Sequence, residues 1–125
     1  MSYEMYITFE NEYLRVRVTA QDNYETSLKF FKELAKACEA YKCRNILAIS
    51  DSTPLETMEA YDHAEILREA GFTIKHRIAW VEKNAKAREM DKFIETVLVN
   101  RAVIQVKIFS DESEAKQWLL EDQTA

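Results

Sequence analysis

The sequence predicts an α/β fold. The expected architecture is a five-stranded, mostly parallel sheet with an antiparallel first strand and four helices, in the order ββαβαβαβα. Three observations predict it. Two apolar runs without polar alternation, NILAIS at 45–50 and IAWV at 78–81, read as strands covered on both faces. Strand-like segments alternate with helical patterns, which implies parallel neighbours joined by right-handed crossovers. EMYITFENEYLRVRVT at 4–19 reads as a hairpin, so the first strand alone runs antiparallel. A chain of 125 residues fits one domain, 1–125, with a real core.

Each element has its own signal. In the hairpin, Met5, Ile7 and Phe9 alternate with polar or amphipathic residues, as do Leu14, Val16 and Val18, and Glu10-Asn11-Glu12 is the turn. Asp22 and Glu25 form a capping box for the first helix, whose stripe is Tyr24, Leu28, Phe31, Ala35 and Cys38. After the strand at 45–50, Thr53 can cap a second helix, Pro54 suits its first position, and Glu56 stands three after Thr53. Gly71 ends that helix in a left-handed conformation, with Phe72 folding back on Leu67 as in a Schellman motif. The strand TIKHRIAWVE follows at 73–82. A helix from about Ala85 to Val99 is expected to turn Met90, Phe93, Ile94, Val97 and Leu98 inward. VIQVKIF at 103–109 is the last strand, its Gln105 and Lys107 marking an edge. Asp111 and Glu114 cap a short helix with Ala115, Trp118 and Leu119 inward.

Composition excludes several function classes. Hydrophobic residues make up 47% and charged residues 31%, which suits a globular chain rather than a disordered one. No apolar run approaches the ~20 residues of a membrane span. The start, MSYEMYITFENEY, lacks a basic region followed by an apolar stretch, so a cytoplasmic address is expected. A net charge of −5 argues against nucleic acid and anionic membranes. Arg15 and Arg17, set among acidic neighbours, read as a solvated strand face. The single glycine rules out a phosphate-cradling loop and a dinucleotide fingerprint, both of which need several. That disfavours a kinase, an NTPase or a Rossmann oxidoreductase. Cys38 and Cys43 read as small buried thiols without companion ligands, so no metal or other cofactor is expected.

Chemistry-bearing residues are few. Asp51-Ser52-Thr53-Pro54 falls between strand and helix, where a phosphate on Ser52 would meet free backbone N–H groups; Thr53 reads first as a cap. Glu59 and His63 are four apart, with Asp62 between them; this spacing suits a metal edge or a base, and an exposed ion pair explains it as well. His76 starts a strand beside Arg77 and reads as a boundary residue. No serine, cysteine or threonine sits in a recognisable nucleophile motif, so an enzyme is not expected. Most of the aromatic residues, Trp80 among them, fall on core faces; the same set could line a pocket for an apolar ligand.

Several phrases resemble the STAS / SpoIIAA-like superfamily, and most closely the small stand-alone bacterial STAS/SEC14-like proteins. They are HRIAWVEK at 76–83, the helix carrying Phe93, and VKIFSDESEAKQWLLE at 106–121, with its strand, acidic turn and Ala-x-x-Trp-Leu helix. The likeness spans roughly residues 12–121 and implies a SpoIIAA-like fold. The superfamily includes anti-sigma factor antagonists with Asp-Ser-Ser/Thr-Gly at the start of the second helix. Asp51, Ser52 and Thr53 match three of those positions, which implies Ser52 as phosphoacceptor or partner-binding residue; Pro54 stands where the glycine would. The resulting expectation is a non-enzymatic regulatory or protein-interaction module acting through a protein partner. The alternative is a SEC14-like carrier of a small apolar ligand. Two sheet edges, and apolar residues such as Phe30 and Leu98 beyond one core stripe, further predict a symmetric homodimer.

Overall fold

The computed structural model describes residues 4–19, 24–50 and 60–121. Its strands are β1 (Glu4–Phe9), β2 (Leu14–Thr19), β3 (Asn45–Ser50), β4 (Arg77–Glu82) and β5 (Gln105–Phe109). Its helices are α1 (Tyr24–Tyr41), α2 (Ala60–Ala70), α3 (Ala85–Asn100) and α4 (Glu112–Leu119). The sheet order is β1-β2-β3-β4-β5. β1 is antiparallel to β2, and the other three pairings are parallel. The two apolar runs are therefore the interior strands β3 and β4, as their lack of alternation requires. No helix among the described residues is long and apolar enough to cross a membrane.

Strand register sorts the side chains into two faces. One row runs Leu14, Ile46, Ile78, Val106, and the next Val16, Ala48, Trp80, Ile108. These rows carry the larger core, beneath α1, α2 and α3. The odd partners Leu47, Ile49, Ala79 and Val81 point the other way, where Tyr13 and the α4 residues Ala115 and Leu119 cover them. α4 is pinned by two arginines. Arg15 makes a two-pronged contact with Glu112, at 3.1 and 3.3 Å. Arg77 lies 4.1 Å from the Trp118 ring centroid and donates to the Trp118 carbonyl at 2.8 Å. Arg15 is thus a half-buried docking residue rather than part of a solvated face; Arg17 remains exposed.

Two helices bury different residues from those their stripes predict. In α1 the fully buried row is Thr26, Phe30, Leu34 and Cys38, with Phe31 and Ala35 half-buried beside it. α1 packs on α2 as well as the sheet, so it buries a wider face than one stripe. In α3 the core takes Val97 and Leu98, and half-buries Ile94, while Met90 (37% exposed) and Phe93 (55%) face outward. Phe30 (3%) and Leu98 (4%) are core residues. The surplus of apolar residues invoked for a homodimer is therefore not made of these two.

The strands at 73–82 and 103–109 are also shorter than expected. Residues 73–76 form a turn, with the His76 N–H donating to the Thr73 carbonyl at 3.0 Å, before β4 begins at Arg77. β1 and β5 are the sheet edges. The β5 edge is managed: the Ile108 N–H donates to Glu95 Oε1 of α3 at 2.7 Å, leaving one fewer amide for a passing strand.

Three helices end in the same way. Gly71 has φ +106°, its N–H reaches the Arg68 carbonyl at 3.1 Å, and the Phe72 N–H reaches Leu67 at 3.0 Å. That is the Schellman ending read from the sequence. α1 repeats it at Lys42 (φ 54°), with Cys43 bonding back to Cys38, and α3 at Ala102 (φ 53°), with Val103 bonding back to Leu98. A side chain with a Cβ is strained in this conformation by about 1–2 kcal/mol. Ala102→Gly should therefore raise stability by about 0.5–1 kcal/mol after the entropic cost of glycine is set against it. Urea denaturation measures this; a fall in stability would mean the left-handed turn is not the native conformation at residue 102.

Candidate functional site

A cavity among the described residues lies between the sheet and the three-helix layer. Its volume is about 100 Å³. β3 helps to leave the space, because Ala48 and Ser50 are small where its neighbours carry Val16, Val18 and Trp80. Ile78, Val106 and Ile108 complete the floor, and Phe30, Phe31, Leu67, Ile94 and Leu98 descend from the helices. Phe31 stacks obliquely toward Trp80, ring centroids 6.5 Å apart, so the walls are largely aromatic and aliphatic.

Six residues bring polar groups to this lining: Ser27, Ser50, His63, Trp80, Asp91 and Glu95. Two of these groups stand out. Trp80 Nε1 and His63 Nε2 are buried, and neither finds a hydrogen-bond partner among the described residues. An indole N–H only donates. Leaving such a donor buried and unpaired costs about 1–3 kcal/mol, and native proteins leave few of them so. Glu95 holds one wall by accepting from the Ile108 amide.

His63 is the site residue whose place differs most from expectation. The spacing with Glu59 suggested an exposed ion pair; instead its ring lines the cavity from the first turns of α2. Burial pushes its pKa down to about 4, against a smaller opposing pull from Asp62, so the ring is neutral at pH 7. His76 is the boundary residue expected. Its Nδ1 accepts the Thr73 N–H at 3.1 Å, its ring meets Phe72 edge-on, and burial lowers its pKa. Cys38 and Cys43 are free and buried, and burial pushes the Cys38 thiol up to about 12, far from a reactive thiolate. Among the described residues no group of three histidine, cysteine or acidic side chains could hold a metal ion.

Asp51, Ser52 and Thr53 lie outside the described residues, together with Pro54, Glu56, Glu59 and the Asp22 cap. The segment they occupy joins Ser50, on the cavity floor, to Ala60, at the start of the described α2.

No protein-family model and no curated protein matches the sequence. A solved structure does. The crystal structure of an uncharacterised protein of the DUF3478 family from Shewanella loihica PV-4, described as having a SpoIIAA-like fold, aligns with a TM-score of 0.58. The alignment covers 94% of this chain and 93% of that one, at 18% identity. The chain has a SpoIIAA-like fold. The strand order, the antiparallel first strand and the four helices agree with that assignment.

What sequence reasoning missed was the meeting of these groups. The usable signal was a pair of small residues, Ala48 and Ser50, in a central strand next to a tryptophan.

The half-buried, neutral His63 makes a pH prediction. In the unfolded chain the ring takes a proton below about pH 6.5; in the native protein it resists until about pH 4. The unfolded state therefore binds more protons between those values, and stability falls as pH drops from 6.5 to 4. The size is on the order of 3 kcal/mol. His63→Gln should flatten this part of the stability–pH curve, while His76 and the carboxylates act in both proteins. Chemical denaturation at pH 7, 5.5 and 4 checks it; parallel curves for the two proteins would contradict the inward, neutral placement of His63.

Proposed function

We propose that the protein is a non-enzymatic binding module for a small, largely apolar molecule held in the cavity between the sheet and α1–α3. One observation carries this reading: a cavity with apolar walls is lined by Trp80 and His63, each with a buried ring nitrogen that has no hydrogen-bond partner among the described residues. Ligand sites characteristically combine such walls with a few convergent polar groups. An engineered apolar cavity of about 150 Å³ takes benzene. A space of about 100 Å³ that opens at its rim suits a compact guest, or one end of a longer one.

Ile94, half-buried at the α3 wall, provides a block. Protein purified from the cells that make it should release a small molecule, in near-stoichiometric amount, on denaturing mass spectrometry. Ile94→Trp should fold and release little of it. A wild type that carries nothing, and whose melting temperature no small apolar compound raises, would sink the reading.

A protein-interaction role is the second reading. Met90 and Phe93, three apart on α3, present an exposed apolar pair, and β1 is an open edge. In that reading Asp51, Ser52 and Thr53 serve as phosphoacceptor or partner contact, and self-association is one form of partner. Light scattering at micromolar concentration decides the homodimer form: a dimeric mass supports it, a monomeric mass removes it.

A further inference from the structure

The charge of the lining restricts the guest. Asp91 and Glu95 bring carboxyl groups to the cavity, and the remaining polar contributors, Ser27, Ser50, His63 and Trp80, carry no positive charge at neutral pH. Among the described residues no lysine or arginine lines it. The segments outside the described residues cannot supply one either, since 1–3, 20–23, 51–59 and 122–125 contain neither residue type. A carboxylate or phosphate placed here would lose its water and face carboxyl groups, with no cation to offset the loss.

A hydroxyl meets the opposite situation. Its oxygen has lone pairs for the Trp80 N–H, which only donates, and its proton suits an acceptor such as a carboxyl oxygen. His63 Nε2 can take either role, because a neutral imidazole exchanges donor and acceptor between tautomers. Burial of both ring nitrogens at an apolar wall makes each such bond count more than it would in water.

Resting on the cavity reading, we infer that the site selects an uncharged guest with an alcohol-type hydroxyl on an apolar body, its oxygen accepting from the Trp80 Nε1–H, and rejects anionic amphiphiles such as fatty acids. The discrimination comes from what the site lacks as much as from what it offers. The guest's apolar part lies over Ile78, Val106 and Ile108, and its hydroxyl end points to Trp80.

Three probes of similar size separate the terms: 1-pentanol, pentanoate and cyclopentane. Each is titrated into the full-length protein at pH 7.5 and followed by NMR shifts of the lining methyl groups. The expected order is 1-pentanol tightest, cyclopentane next, and pentanoate at least tenfold weaker than 1-pentanol. Trp80→Phe should bring 1-pentanol down to within about threefold of cyclopentane while leaving cyclopentane binding in place. The wild-type comparison stands even if that variant folds poorly. Pentanoate binding as tightly as 1-pentanol would overturn this inference and leave the cavity reading intact. Undiminished 1-pentanol binding in a folded Trp80→Phe would also overturn it. Failure of all three probes, cyclopentane included, would overturn the cavity reading and the inference together.

Discussion

The structure depends on the need of two interior parallel strands to be covered on both faces. β3 and β4 are buried over nearly their whole length, above and below. Neither face is left to water, so each must find a layer of its own. Three helices supply one layer and the short α4 the other. The unequal division has a consequence. α4 seals its face by close packing of Ala115 and Leu119 on Leu47, Ile49, Ala79 and Val81, and by the arginine contacts to Glu112 and Trp118. The opposite face has more area to cover and a mixture of large and small residues beneath it. The cavity forms there, with Ser50, Ile78 and Val106 on its floor.

The fold was legible because its main determinants are local. Unalternating apolar runs mark interior strands, and α4 opens on the cap read at Asp111, which accepts from Glu114; Asn84, not singled out in the sequence, does the same for α3 by accepting from Lys86 and Ala87. The errors were in orientation. α3 has apolar residues around more than half its circumference, so periodicity alone could not choose between the Phe93 side and the Val97–Leu98 side. Its packing against β5 at the sheet edge chose the latter. α1 shifted by about one residue for a related reason, since it serves both the sheet and α2. Two of the three left-handed helix endings were invisible, because Lys42 and Ala102 carry no glycine signature.

The site was less legible than the fold. Ser50, His63, Trp80 and Glu95 come from four different elements, and nothing in their spacing announces that they meet. His63 looked like one end of a surface pair because Glu59 and Asp62 are its near neighbours in sequence. Its real environment is set by how α2 packs against α1 and α3 above the sheet, which is a tertiary fact. Asp51-Ser52-Thr53, which lies outside the described residues, follows Ser50 of the cavity floor directly in sequence.

The proposed cavity function turns on Trp80 Nε1 and His63 Nε2 taking their partner from a guest. The most direct measurement is the NMR signal of the Trp80 indole N–H in ¹⁵N-labelled protein, with the Trp118 indole as an internal reference. Adding 1-pentanol is predicted to move the Trp80 signal and slow its exchange with water, with Trp118 unchanged on the far face of the sheet. A Trp80 indole that stays in place, or that shifts no more than Trp118, would contradict the claim.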